Sequence, residues 1–112
     1  MALDSILLLP DGFQLTDDRG RVYYSVRWND VEEVCAYKRD LWTTDLICLG
    51  FRTTSRRDIV HEVDEEMSGY KLLLLECEKQ LPGIRHDWWR EVTFPPFSGN
   101  ATVLYRRTPE DR

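Results

Sequence analysis

His61-Glu62 and the acids that follow, Asp64, Glu65 and Glu66, are the residues of this chain whose types first invite a reaction. A zinc protease places His-Glu-x-x-His on a helix so that two imidazoles one turn apart face one metal. Here the fifth position is Glu65, so the second imidazole is missing, and on a strand Glu62 points away from His61 and Val63. The acids from Glu62 to Glu66 lack the spacing and central glycine of a calcium loop, and a solvated helix start accounts for them. No metal ligand set follows.

Nucleophilic catalysis requires a Ser or Cys with a base in reach. Ser98-Gly99 lacks the Gly-x-Ser-x-Gly frame, and Cys35 or Cys77 could meet His61 or His86 only through the fold. An enzyme with a site around His61, Glu62 or Cys77 is therefore an alternative reading; the sequence names no catalytic residue and no cofactor. The cysteines Cys35, Cys48 and Cys77 are odd in number, lie in apolar segments and have no Cys-x-x-Cys spacing, the pattern of buried reduced thiols. Asn100-Ala101-Thr102 matches a glycosylation acceptor, but no basic stretch precedes the first apolar run to make a secretion signal. A reducing cytoplasmic compartment is expected.

Three groups of residues suit binding better. Arg39-Asp40-Leu41-Trp42-Thr43-Thr44-Asp45 should form a hairpin tip, where Arg39 and an exposed Leu41-Trp42 pair could meet a partner; the alternative is that Trp42 folds back onto the sheet, as large aromatics mostly do. Arg52, Arg56 and Arg57 interleave with Thr53, Thr54 and Ser55 and offer donors to phosphate or carboxylate groups, although a polar loop needs no ligand. Trp88, Trp89, Phe94 and Phe97 form either a structural lid over a helix or an apolar patch for a homodimer or another partner.

The elements that must position these residues are legible in the period of the apolar side chains. Pro10-Asp11-Gly12 separates Ile6–Leu9 from Phe13–Thr16, and Asp17-Asp18-Arg19-Gly20 separates that from Arg21–Trp28. Val22, Tyr24, Val26 and Trp28 then alternate with polar neighbours, as a half-buried strand requires. Trp28-Asn29-Asp30-Val31-Glu32-Glu33-Val34 forms a corner with apolar residues turned inward. Beyond it lie strands at Val34–Lys38, at Asp45–Thr53, whose two apolar faces mark a central strand, and at Ile59–Val63. Tyr70, Leu73, Leu74, Cys77 and Leu81 follow helical spacing, with Ser68 as cap and Pro82-Gly83 as stop, predicting a helix over about 68–81. Thr102–Arg106 could be a last strand.

The expected class is α+β: an antiparallel meander of about six strands over 6–63, covered by one amphipathic helix, with an aromatic-rich C-terminal extension over 82–107 and a flexible end at 108–112. With 112 residues and 42% apolar composition the chain holds one core and one domain, 1–112. No apolar run is long enough to insert in a membrane. Fifteen basic against twenty acidic residues, a formal charge of −5, disfavour nucleic acid and favour a basic protein partner.

The strand before the corner, the Trp-x-Asp-Val-x-x-Val pattern at Trp28 to Val34, the β run after it and the helix resemble small bacterial pleckstrin-homology-like domains, over residues 6–81. The resemblance implies a bent antiparallel sheet closed by a C-terminal helix. This chain departs from the pattern in that its helix is not terminal and carries no tryptophan. Its early turns at Asp11 and at Asp17-Asp18 are also acidic where lipid-binding members are basic, so no binding residue is carried over. The function expected is a non-enzymatic protein-interaction module. The alternative in the same class is an acidic inhibitor of immunity type that masks a basic toxin.

Overall fold

The computed structural model describes residues 4–42, 44–93 and 101–108, with the backbone alone for Asp40, Glu91 and Thr93. β1 (Ser5–Leu9) pairs antiparallel with β2 (Gly12–Thr16), which pairs in turn with β3 (Val22–Arg27). Asp17 organises the second connection: its Oδ1 accepts the N–H groups of Arg21 at 2.8 Å and Arg19 at 2.9 Å. Those bonds, that from the Arg21 backbone foremost, hold its carboxyl below the usual range.

At Trp28–Asp30 the chain makes a 3-10 turn and enters β4 (Val31–Asp40). The expected single meander of six strands is broken here. β1, β2 and β3 form one sheet, and β4 belongs to a second, four-stranded one with β5 (Asp45–Thr53), β6 (His61–Asp64) and β7 (Thr102–Arg106), in the order β6-β5-β4-β7. The physical reason is the indole of Trp28, which is buried with its ring centroid 5.5 Å from that of Phe13. Pinning that ring inside turns the chain out of the first sheet, and backbone bonds from Trp28 N to Asp11 O (3.0 Å) and Thr54 N to Asp30 O (2.8 Å) fix the corner. Trp28 therefore ends its strand rather than extending it.

The two sheets share one core. Phe13 of β2 meets Phe51 of β5 edge-on at 5.0 Å, and the Tyr24 hydroxyl donates to the Glu62 carbonyl at 2.7 Å, joining β3 to β6. A register shift between Val31 and Glu33 sets the parity of β4. Val34, Ala36 and Lys38 are buried, whereas Glu33, Cys35, Tyr37 and Arg39 alternate with them on the outer face. β5, apolar on both faces, is an interior strand as expected.

The helix α1 runs Tyr70–Gln80 and buries Tyr70, Leu73 and Cys77, with Leu81 in the core just beyond its end. Ser68 does not cap it. That residue instead bridges Ser5, accepting from Ile6 N at 2.7 Å, and Gly69 enters the helix at φ 90°. A Cβ there would lie 2.4 Å from the Ile6 carbonyl oxygen, so the close approach of β1 requires glycine.

What was expected as a C-terminal extension is part of the domain. Trp88 and Val92 join the core, the latter from the five-residue helix α2 (Trp89–Thr93), and β7 pairs with β4 through Glu33↔Arg106 and Val34↔Tyr105. Pairing satisfies the N–H and C=O groups that β4 would otherwise present as an edge, and it buries the ring of Tyr105. The proposed flexible end falls outside the described residues from 109 onward, as do Phe94, Phe97, Ser98 and Asn100. Among the described residues no helix is long and apolar enough to cross a membrane.

Candidate functional site

The β4–β5 hairpin carries Arg39, Leu41 and Trp42 at one end of the four-stranded sheet. Leu41 N donates to Thr44 O at 2.9 Å, closing a tight turn, and Trp42 sits in it with φ 76° and 95% of its surface exposed. Tight hairpins favour Gly, Asn or Asp where φ is positive. A tryptophan there carries about 1–2 kcal/mol of backbone strain. Arg39 is exposed on the outer face and pairs with the Glu62 carboxylate, which also accepts from the Tyr37 hydroxyl.

At the other end of the same sheet a pocket of about 390 Å³ is lined by Glu32, Glu33, Arg52, Arg57, Arg106 and Arg107. Arg57 grips Glu32 through Nε at 2.9 Å and Nη2 at 3.3 Å, and Glu33 lies 3.0 Å from Arg106 Nε and 3.6 Å from Arg52 Nη1. Burial alone raises the carboxyl of Glu33, but hydrogen bonds from Cys35 and Arg106 and the charges of Arg106 and Arg52 hold it below the usual range. Arg107 Nη2 donates to the Trp28 carbonyl at 3.2 Å. Arg52 and Arg57 of the sequence-predicted loop thus reach the pocket, while Arg56 pairs with Asp58 at 3.6 Å away from it. Arg106, Arg107, Glu32 and Glu33 were not among the candidates. They come together only because β7 pairs with β4, a contact across 73 residues of sequence.

The aromatic candidates divide. Trp88 is 5% exposed and packs in the core, reaching the surface only at the floor of the grooves it helps to line. Trp89 is 44% exposed, with the Arg90 guanidinium 5.5 Å from its ring centroid, and borders a groove with Leu74, Leu75 and Glu78 on α1. Phe97 lies outside the described residues.

The residues of the enzymatic alternative are dispersed. The His61 ring lies tilted against that of Tyr24, 4.7 Å between centroids, and burial, then the charge of Arg56, lowers its pKa. Glu62 is engaged on the outer face by Tyr37 and Arg39, and Cys77 is buried on the core side of α1. Burial pushes the thiols of Cys35 up to about 11 and of Cys48 and Cys77 up to about 12, so all three are protonated at neutral pH, the unreactive form. The acids after His61 have structural work: Glu65 Oε1 accepts from Ile47 N at 3.0 Å and Asp64 Oδ1 from Glu66 N at 2.9 Å. No family model matches the chain, and comparison with curated proteins and with solved structures likewise finds no match.

Proposed function

We propose that this chain is a non-enzymatic protein-interaction module that engages its partner through the β4–β5 hairpin tip. The observation that carries the reading is Trp42, a large apolar side chain held almost wholly in solvent on a strained backbone. Neither burial nor local conformational preference accounts for tryptophan at that position, and tryptophan is enriched among the residues that dominate binding at protein interfaces. The split of the strands into two antiparallel sheets at the Trp28 corner, with a helix against them, supports a pleckstrin-homology-like architecture. The placement of α1 before β7 departs from it. Three unpaired thiols support a reducing, cytoplasmic setting.

A formal charge of −5 favours a second, narrower reading in the same class, an acidic inhibitor of a basic protein. Affinity capture from the native cell with the wild-type chain and with Trp42→Asn, followed by mass spectrometry, tests both. A protein retained by the wild type and lost by the variant is the expected outcome, and a strongly basic one favours the inhibitor. Identical captures from the two baits remove Trp42 from the interface.

A further inference from the structure

The arginine pocket carries an assignment of its own. It lies where Glu33 and Arg106 pair, seven residues along β4 from Asp40 at the hairpin end, about 23 Å at strand rise. Four arginines stand against two glutamates, a local surplus of two positive charges in a chain whose total is −5. Both carboxylates are already gripped by Arg57, Arg106 and Arg52. The Nε–H groups of Arg52 and Arg107 are closed off from solvent and reach no acceptor among the described residues. Guanidinium donors withdrawn from water without an acceptor are a deficit that an oxyanion removes once the side chains rotate toward it.

A second groove, of about 240 Å³, begins at the same Glu33 and Arg52 and runs over Gly50 between Tyr37 and Val60. A Cβ on Gly50 would lie 2.6 Å from Val60 Cγ1 and 3.3 Å from the Tyr37 ring, so glycine lets both side chains settle onto the sheet and form an apolar bed. The Tyr37 ring is held in place because its hydroxyl donates to Glu62. Charge and apolar surface are thus arranged end to end, the arginines at one end and an aromatic face at the other.

We propose that this composite site binds a phosphomonoester carried on a small planar ring system, with the dianion among the four arginines and the ring against Tyr37 and Val60. A phosphomonoester carries about two negative charges at neutral pH, matching the surplus, where a carboxylate carries one. Arginine forks match its oxygens in pairs.

The test is calorimetric titration of the full chain with inorganic phosphate, phenyl phosphate and adenosine 5′-monophosphate, with benzoate as the singly charged control. At least one ester is expected to bind about tenfold or more tightly than inorganic phosphate and benzoate, with affinity falling as salt rises. Which ester is tighter tells whether the ring is a simple aromatic or a nucleoside. Arg52→Gln with Arg107→Gln should weaken that ester by about tenfold or more, and Val60→Ser should shrink its advantage over inorganic phosphate. Arg57→Gln, on an exposed loop, replaces the double variant if the latter loses its folded circular dichroism. Absence of binding by every phosphate at about 10 mM overturns the proposal, since so weak a site has no use for four arginines. Benzoate binding as well as the esters, or arginine variants binding as the wild type does, overturns it equally.

Discussion

Arg106 and Glu33 are 73 residues apart in the chain and 3.0 Å apart across the β7–β4 pairing. The pair ties the last strand to the first strand of its sheet. Because Arg106 is largely solvent-exposed, a double-mutant cycle with Arg106→Gln and Glu33→Gln should give a coupling of no more than about 1 kcal/mol. A coupling several times larger would mean that the pair is effectively buried.

The same carboxylate sets a pH dependence. Glu33 has its folded pKa below the usual 4.5, so its contribution is complete above that value and is lost as pH falls through the lowered one. His61, whose folded pKa is depressed from 6.5, acts in the same direction over a higher window: stability is full above 6.5 and declines as pH falls toward the folded value. Denaturation midpoints measured from pH 7.5 to 3 should fall on acidification, and Glu33→Gln should flatten the lower part of that decline. An unchanged lower limb in the variant rules out Glu33 as its source.

Phe13 is fully buried and touches Trp28 and Phe51, one at the corner and one in the opposite sheet. Phe13→Ala should cost about 3–5 kcal/mol in chemical denaturation, because both sheets lose the ring that separates and joins them. Less than about 1 kcal/mol would place the centre of the core elsewhere.

Gly69→Ala should cost at least about 1 kcal/mol, since the φ of 90° and the 2.4 Å approach to the Ile6 carbonyl act together. Its loss should appear as faster amide exchange at Ile6 and Ser68, whose backbone bonds depend on that approach. Exchange unchanged at both amides would separate the glycine from the β1 docking.

Trp42→Asn should stabilise the isolated chain by up to about 1 kcal/mol, because asparagine accepts the positive φ that strains tryptophan. A stabilising change that abolishes partner capture distinguishes a functional side chain from a structural one. Destabilisation by the same substitution would show that the indole supports the fold.

Thiol chemistry should follow burial. At pH 8 a disulfide reagent should modify Cys35 slowly, with about 0.1% of it as thiolate, and Cys48 and Cys77 only after denaturant is added. Rapid modification of any of the three in the native chain contradicts the raised pKa values.

Strands β1 to β6 and the core face of α1 were legible because each depends on local alternation and on turn residues such as Asp17 and Gly20. What local pattern does not contain is pairing across distance. The break at Trp28 is decided by where its indole packs, and the place of β7 by which edge is open. Ser68 has a capping residue's chemistry, but β1 claims its backbone. Within the candidate sites, Arg52, Arg57 and Trp42 could be singled out by residue type and neighbours. Arg106 and Arg107 look like an ordinary basic pair until β7 brings them beside Glu33. Residue type favours burial for Trp42 and Trp88 alike; Trp88 follows it, and Trp42 departs from it at the hairpin tip.

The position of β7 also orders the birth of the molecule. During synthesis residues 4 to 93 emerge while one side of β4 still shows its bare hydrogen-bonding groups, a template for wrong pairing with neighbouring nascent chains. Only when Thr102–Arg106 pairs with β4 is that side sealed, and the same event brings Arg106 and the adjoining Arg107 to the pocket. A chain in which β7 has not yet paired is therefore adhesive along β4 and lacks two of the four arginines that line the pocket.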